Sequence, residues 1–288
     1  MQSRHLKWYL LIILALIWGS SFILIKRGLI GLNPFQLGSL RIIFCAVFLI
    51  AIGSGSLKKI PAGQWKYIAL TALCGTFLPV YLFSFAQMEI HSSVSAILNS
   101  LTPLNTLIIG AAVFGLSFQR RQLVGILIGL IGCALLIYTG AVNNPDQNYF
   151  YALFVVAASI CYATNVNLIK KHLSGLSPMS ISAGNFAVML VPAFLILCFS
   201  GFFDIAALPE TQTAMLYIAI LGVVGTGVAN LIFFRLIQMS SPIFASSVTY
   251  LIPVVAFCWG LLDNESLSPI QALGAFIILV GVYFSARK

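Results

Sequence analysis

The sequence predicts an all-α integral membrane protein of ten transmembrane helices, two inverted-topology five-helix repeats around a central cavity. Three observations carry this. Apolar residues fill 60% of the 288 positions and charged residues only 7%, against about 25% charged in a soluble domain. The apolar residues gather in ten stretches near the ~20-residue length of a membrane helix. The two halves of the chain also resemble each other at a nearly constant offset.

The stretches cover residues 8–26, 34–55, 66–87, 93–117, 122–140, 149–169, 178–200, 213–236, 242–262 and 269–286. Arg4 and Lys7 ahead of the first imitate a secretory signal, but nine more stretches follow, so the first reads as an uncleaved helix. Spans 2, 7, 9 and 10 open on Asn33-Pro34, Ser177-Pro178, Ser241-Pro242 and Ser268-Pro269, each a capping side chain before a helix-starting proline. No stretch alternates polar and apolar residues, which excludes a β-barrel.

The basic residues set the orientation. With the N-terminus inside, twelve of the fifteen lie on the inner side: Arg4, Lys7, Lys58, Lys59, Lys66, Arg120, Arg121, Lys170, Lys171, Arg235, Arg287 and Lys288. All six acidic residues fall outside. Loops rich in Lys and Arg stay in the cytoplasm, so both termini are expected there, in a multi-pass protein of a bacterial cytoplasmic (inner) membrane. The net charge of +9 is therefore a topology signal, and no nucleic-acid partner is expected. The six cysteines all lie in apolar spans without CxxC spacing and read as inert thiols.

The segment from Trp18 to Lys26 aligns with that from Tyr162 to Lys170 at offset 144, and Pro34 meets Pro178 at the same offset. Gly75-Thr76 meets Gly225-Thr226 and Pro103 meets Pro253 at offset 150. The repeats divide the chain at 1–143 and 144–288. Five spans is an odd number, so the halves must cross the membrane in opposite senses. Inverted repeats are a device of secondary transporters. The expected function is export or exchange of a small-molecule substrate by alternating access. The competing classes are an intramembrane enzyme and a structural scaffold without transport.

Trp18-Gly19-Ser20-Ser21-Phe22, Lys26, Pro34 and Arg41 resemble the opening of an EamA-type member of the drug/metabolite transporter superfamily. Ser93, Ala96, Ile97 and Leu101-Thr102-Pro103 in span 4 resemble that family too, as does Glu265-Ser266-Leu267 followed by Gln271, Gly274 and Gly281. The resemblance implies ten helices, a central cavity, and handling of metabolites such as amino acids. One departure stands out: the acidic residue the family places after span 4 has no counterpart near Leu116, and only its second-half copy, Glu265, is present.

Polar residues at helical spacing mark a candidate substrate site. Span 9 carries Ser246, Thr249, Tyr250 and Pro253 on one helical face, and span 4 carries Ser95, Asn99, Thr102 and Pro103 on a similar one. Asn99 is the repeat partner of Thr249. Trp18 and Ser21 in span 1, Tyr162 and Asn165 in span 6, and Asn230 in span 8 complete the set, whereas Asn167 points elsewhere. Pro103 and Pro253 are candidate hinges, because a mid-helix proline frees a backbone carbonyl that needs a cavity, a ligand or a side chain. The bland alternative is interhelical or intrahelical hydrogen bonding, about 0.6 kcal/mol per bond. Arg41 sits about two turns from the outer end of span 2. It either snorkels to the headgroups or, with Lys26 and Arg27, forms a basic outer vestibule suited to a carboxylate.

Gly125, Gly129 and Gly132 in span 5 and Gly274 and Gly281 in span 10 permit close helix approach, to each other or across a homodimer. No Asp, Glu or His lies deep in a span, so a carboxylate proton relay is not expected. There is no P-loop, HExxH or GxSxG, which argues against ATP drive within the chain and against hydrolase chemistry. No cofactor is expected. The expected partners are the small-molecule substrate and membrane lipid.

Overall fold

The computed structural model describes residues 2–115, 120–143, 147–264 and 268–286. Leu116, Asp146, residues 265–267 and residues 287–288, on which the sequence reading drew, lie outside the described residues.

Among the described residues the chain is helix and turn without a strand. Ten helical segments follow in order: α1 (Gln2–Gly28), α2 (Pro34–Leu57), α3 (Ala62–Glu89), α4 (Ser92–Phe114), α5 (Arg120–Asn143), α6 (Tyr149–His172), α7 (Pro178–Phe199), α8 (Pro209–Met239), α9 (Pro242–Leu262) and α10 (Pro269–Ala286). All but α5 and α10 are long and apolar enough to cross a membrane. In those two the apolar stretches, Leu127–Thr139 and Pro269–Gly281, are shorter.

The four expected helix starts are capped as the sequence implies. The Gln36 N–H donates to Asn33 Oδ1 and the Asn33 N–H to Gln36 Oε1, both at 2.9 Å. Ser268 and Gln271 form the same reciprocal pair. Ser177 accepts from the Ser180 N–H and Ser241 from the Phe244 N–H. Each cap satisfies orphan backbone donors that lipid cannot satisfy.

The packing inverts the rule for soluble proteins. Large apolar side chains such as Val47, Ile131, Phe199, Leu216 and Phe276 face outward, while Ser39, Arg41, Thr76, Asn99 and Asn185 are buried. Water is absent outside a membrane protein, so polar groups find partners only inside. α2 packs along α7, α1 along α9, and α6 against α3 and α4.

α5 and α10 pack against each other over most of their length. A Cβ on Gly132 would lie 2.7 Å from Ile278 N and 2.8 Å from Gly274 O, and one on Gly281 would meet Gly125 O and the Gly129 backbone. The glycine faces are used in this contact within the chain.

Two helices widen and two break, at repeat-related places. Leu73–Phe77 in α3 and Leu221–Val228 in α8 are π-helical. In α3 the cause is visible: Pro79 lacks the N–H that would bond Gly75 O and its ring crowds that carbonyl. α4 breaks between Asn99 and Thr102, just before Pro103, and α9 passes through a 3₁₀ turn, Ser247–Tyr250, just before Pro253.

Candidate functional site: a central polar cavity

α1, α2, α3, α4, α6, α8 and α9 converge on one cavity. The space open to the centre of a water is about 80 Å³, room for on the order of six waters. Ten expected site residues line it: Trp18, Ser21, Arg41, Asn99, Thr102, Tyr162, Asn165, Asn230, Ser246 and Thr249. Tyr250 does not; its half-buried ring packs against the apolar core. The 3₁₀ turn explains this. At three residues per turn Ser246 and Thr249 stay eclipsed, while Tyr250 rotates off their face.

Eighteen of the 21 lining residues form nine pairs at the two sequence offsets. At 144, Trp18 pairs with Tyr162, Ser21 with Asn165 and Phe22 with Val166. At 150, Gly75 pairs with Gly225, Thr76 with Thr226, Val80 with Asn230, Phe83 with Phe233, Asn99 with Thr249 and Thr102 with Ile252. Ile25, Arg41 and Ser246 have no lining counterpart.

Contacts repeat along with identities. The Trp18 ring meets Phe233 at 4.9 Å edge to face, and the Tyr162 ring lies 6.0 Å from Phe83. A Cβ on Gly75 would touch the Asn165 amide at 2.6 Å, and one on Gly225 would lie 3.0 Å from Ser21 Oγ. Trp18 Nε1 donates to Gly225 O at 3.0 Å. Phe83, Phe233, Thr76 and Val80 escaped the polar-residue reading of the sequence; the 150-residue offset from Asn230 reaches Val80, while the pairs Phe83–Phe233 and Thr76–Thr226 had no expected site residue to start from.

Several hydroxyls spend their proton on their own helix. Ser21 donates to Ile17 O, Thr102 to Asn99 O at the α4 break, Ser246 to Ile243 O and Thr249 to Ser246 O. The intrahelical alternative describes these four donors, although all four residues line the cavity and a hydroxyl oxygen that donates can still accept. Asn167 turns away from the cavity, donating to Thr106 O and Ala163 O. Asn165 differs: it is 3% exposed and its Oδ1 has no hydrogen-bond partner among the described residues.

Arg41 does not snorkel. Its residue exposure is 7%, and it lines the cavity with Nε donating to Thr226 Oγ1 at 2.8 Å. The Thr226 hydroxyl in turn donates to Leu221 O at 3.0 Å, within the π turn of α8. A charge placed centrally in a membrane helix costs about 2.5–3.5 kcal/mol on insertion scales. Lys26 and Arg27 do not join Arg41 in lining the cavity; both pair with Asp263. Arg41 is the one charged residue among those that line the cavity.

Such a cavity inside an apolar bundle is the form taken by a solute path, and known proteins agree. Residues 6–138 and 149–287 each match the EamA-like transporter family. The chain is 27% identical to an uncharacterized transporter of Archaeoglobus fulgidus over 97% of this chain and 96% of the relative. It is 26% identical to a probable amino-acid metabolite efflux pump of Escherichia coli, over 96% and 93%. An uncharacterized inner membrane transporter of Escherichia coli is 27% identical, over 93% and 87%. One crystal structure at 16% identity shares the fold, with a TM-score of 0.68 over 96% of this chain and 95% of that one. Paired family matches across both halves, an all-helical bundle and transporter relatives over the full length have one common meaning: the chain is an integral multi-pass membrane transporter and belongs to the EamA-like transporter family.

Proposed function

We propose that the chain exports or exchanges small polar metabolites, amino acids and related compounds, by alternating access through this cavity. In this reading α1–α5 and α6–α10 are ten spans in two inverted repeats, divided at 143/144, with both termini in the cytoplasm of a bacterium. The observation that carries it is the lining by nine repeat-related pairs. Inverted repeats that meet at a shared site can exchange conformations and expose that site to each side in turn.

The aromatic pairs supply the doors. Phe83 lies six residues before the end of α3 and Phe233 six residues before the end of α8. In inverted repeats those ends are on opposite membrane faces. Phe83 with Tyr162 then closes the outer end, and Phe233 with Trp18 the inner end. Parting one pair while the other stays shut moves the cavity from one solution to the other. Membership of the amino-acid class is supported by the name of the Escherichia coli efflux pump and by the apolar walls with a few placed polar groups.

Counterflow in proteoliposomes tests the reading. Vesicles preloaded with unlabelled amino acids or related metabolites are expected to take up the labelled solute faster than protein-free vesicles. Asn99→Ala is expected to change the rate or the preferred solute while the protein inserts and purifies normally. Counterflow no faster than in protein-free vesicles for every small metabolite tried contradicts it.

A further inference from the structure

Arg41 breaks the symmetry of the cavity. Its repeat partner at offset 144 is Asn185, which does not line the cavity and shares a 2.9 Å hydrogen bond with Thr71 instead. One half of the chain therefore places a guanidinium where the other half places a neutral amide turned into helix packing.

The guanidinium is only partly satisfied. Nε is held by Thr226, while the two terminal nitrogens have no hydrogen-bond or ion-pair partner among the described residues. Five N–H groups in a rigid fork are suited to a carboxylate, and no acidic side chain lines the cavity among the described residues. A buried cation without a counter-ion draws one from whatever can enter. The same cavity holds the unpartnered Oδ1 of Asn165, an acceptor that requires a donor.

Resting on the transport reading above, and replacing its free amino acids by their anionic relatives, we propose that the cargo binds as a small organic anion, its carboxylate on the terminal nitrogens of Arg41 and a hydroxyl or amide N–H donated to Asn165 Oδ1. The charge balance separates this class from free amino acids. A free ammonium group meets no carboxylate in the cavity and shares the sign of Arg41, so a zwitterion leaves the site with its net positive charge. A hydroxy acid or an N-acylated amino acid neutralises it. Holding Arg41 also links the ligand, through Thr226, to the π turn of α8, whose repeat counterpart lies in α3.

The test is counterflow with matched solutes: lactate, alanine and lactamide, then 2-hydroxyisocaproate, leucine and the corresponding hydroxy amide. It is run on the parent protein, Arg41→Gln and Arg41→Lys. In the parent, hydroxy acids are expected to exchange at least about tenfold faster than the amino acids and amides. Arg41→Gln should lower the ratio of hydroxy-acid to amide exchange at least about tenfold, with Arg41→Lys between. Amino acids or amides exchanging as fast as hydroxy acids in the parent overturn the anion proposal and leave the transport reading standing. An equal loss for all three solute classes in Arg41→Gln identifies a structural role for Arg41 and also overturns it. No exchange of any solute overturns both.

Discussion

Gly132→Leu is expected to leave little folded protein after detergent extraction. A Cβ at this position would lie 2.7 Å from Ile278 N and 2.8 Å from Gly274 O. Both neighbours are backbone of α10, which cannot swing aside as a side chain can, so α5 and α10 must separate along their shared length. Overpacking a well-filled interior costs about 1–3 kcal/mol and sometimes more. A clash with backbone belongs at the upper end, near a 6–12 °C fall in thermal midpoint by the scaling of ordinary domains, about 2–4 °C per kcal/mol. Gly55→Leu is the matched control, since nothing lies within 4 Å of its Cβ position. That change should fall within about ±0.5 kcal/mol of the parent. Thermal unfolding followed by fluorescence-detected gel filtration reads both. A Gly132→Leu protein as stable as Gly55→Leu would show that the two helices do not meet through this glycine.

The next largest effect is expected on transport rather than stability. Gly75 and Gly225 are repeat partners in the two π turns, and both line the cavity. A Cβ on Gly75 would meet the Asn165 amide at 2.6 Å, and one on Gly225 would meet Leu221 Cδ1 at 2.9 Å and Ser21 Oγ at 3.0 Å. These neighbours are side chains that can rotate, so the helices stay in place. The volume taken is that of the cavity itself. Gly75→Leu and Gly225→Leu should each fall to between roughly one fifth and one hundredth of the parent rate, since about 1–3 kcal/mol of overpacking at the site corresponds to about 5- to 150-fold in occupancy. Normal transport by either variant would place the route elsewhere.

How far the sequence foretold these features depended on their physics. Helix existence and boundaries were legible because lipid demands long apolar runs and because Asn33, Ser177, Ser241 and Ser268 announce their caps before proline. That ten of the eleven expected residues would face one cavity was legible because polar groups are rare in an apolar span and the repeat registers most of them in pairs. Tyr250 was misplaced because an α-helical spacing was assumed where the chain makes a 3₁₀ turn. The depth of Arg41 was not legible either. Position along a helix tells how far a residue lies from the end, and only packing tells whether it faces lipid or the interior. The pairing of Lys26 and Arg27 with Asp263 joins residues 236 apart in sequence or more, which no local pattern reveals.

The central claim is that one cavity opens alternately to the two sides through the two aromatic pairs. The most direct measurement places a single reporter cysteine at Asn99 in a background without native cysteines and labels it with an impermeant reagent from each side in turn. It is repeated with cysteines at Phe83 and Tyr162, or at Trp18 and Phe233, first joined by a short bifunctional thiol reagent. With Phe83 and Tyr162 joined, the reporter should label only from the cytoplasmic side; with Trp18 and Phe233 joined, only from the outside; and either link should stop transport. Labelling that keeps the same sidedness under both links, or transport that survives them, would contradict alternating access through this cavity.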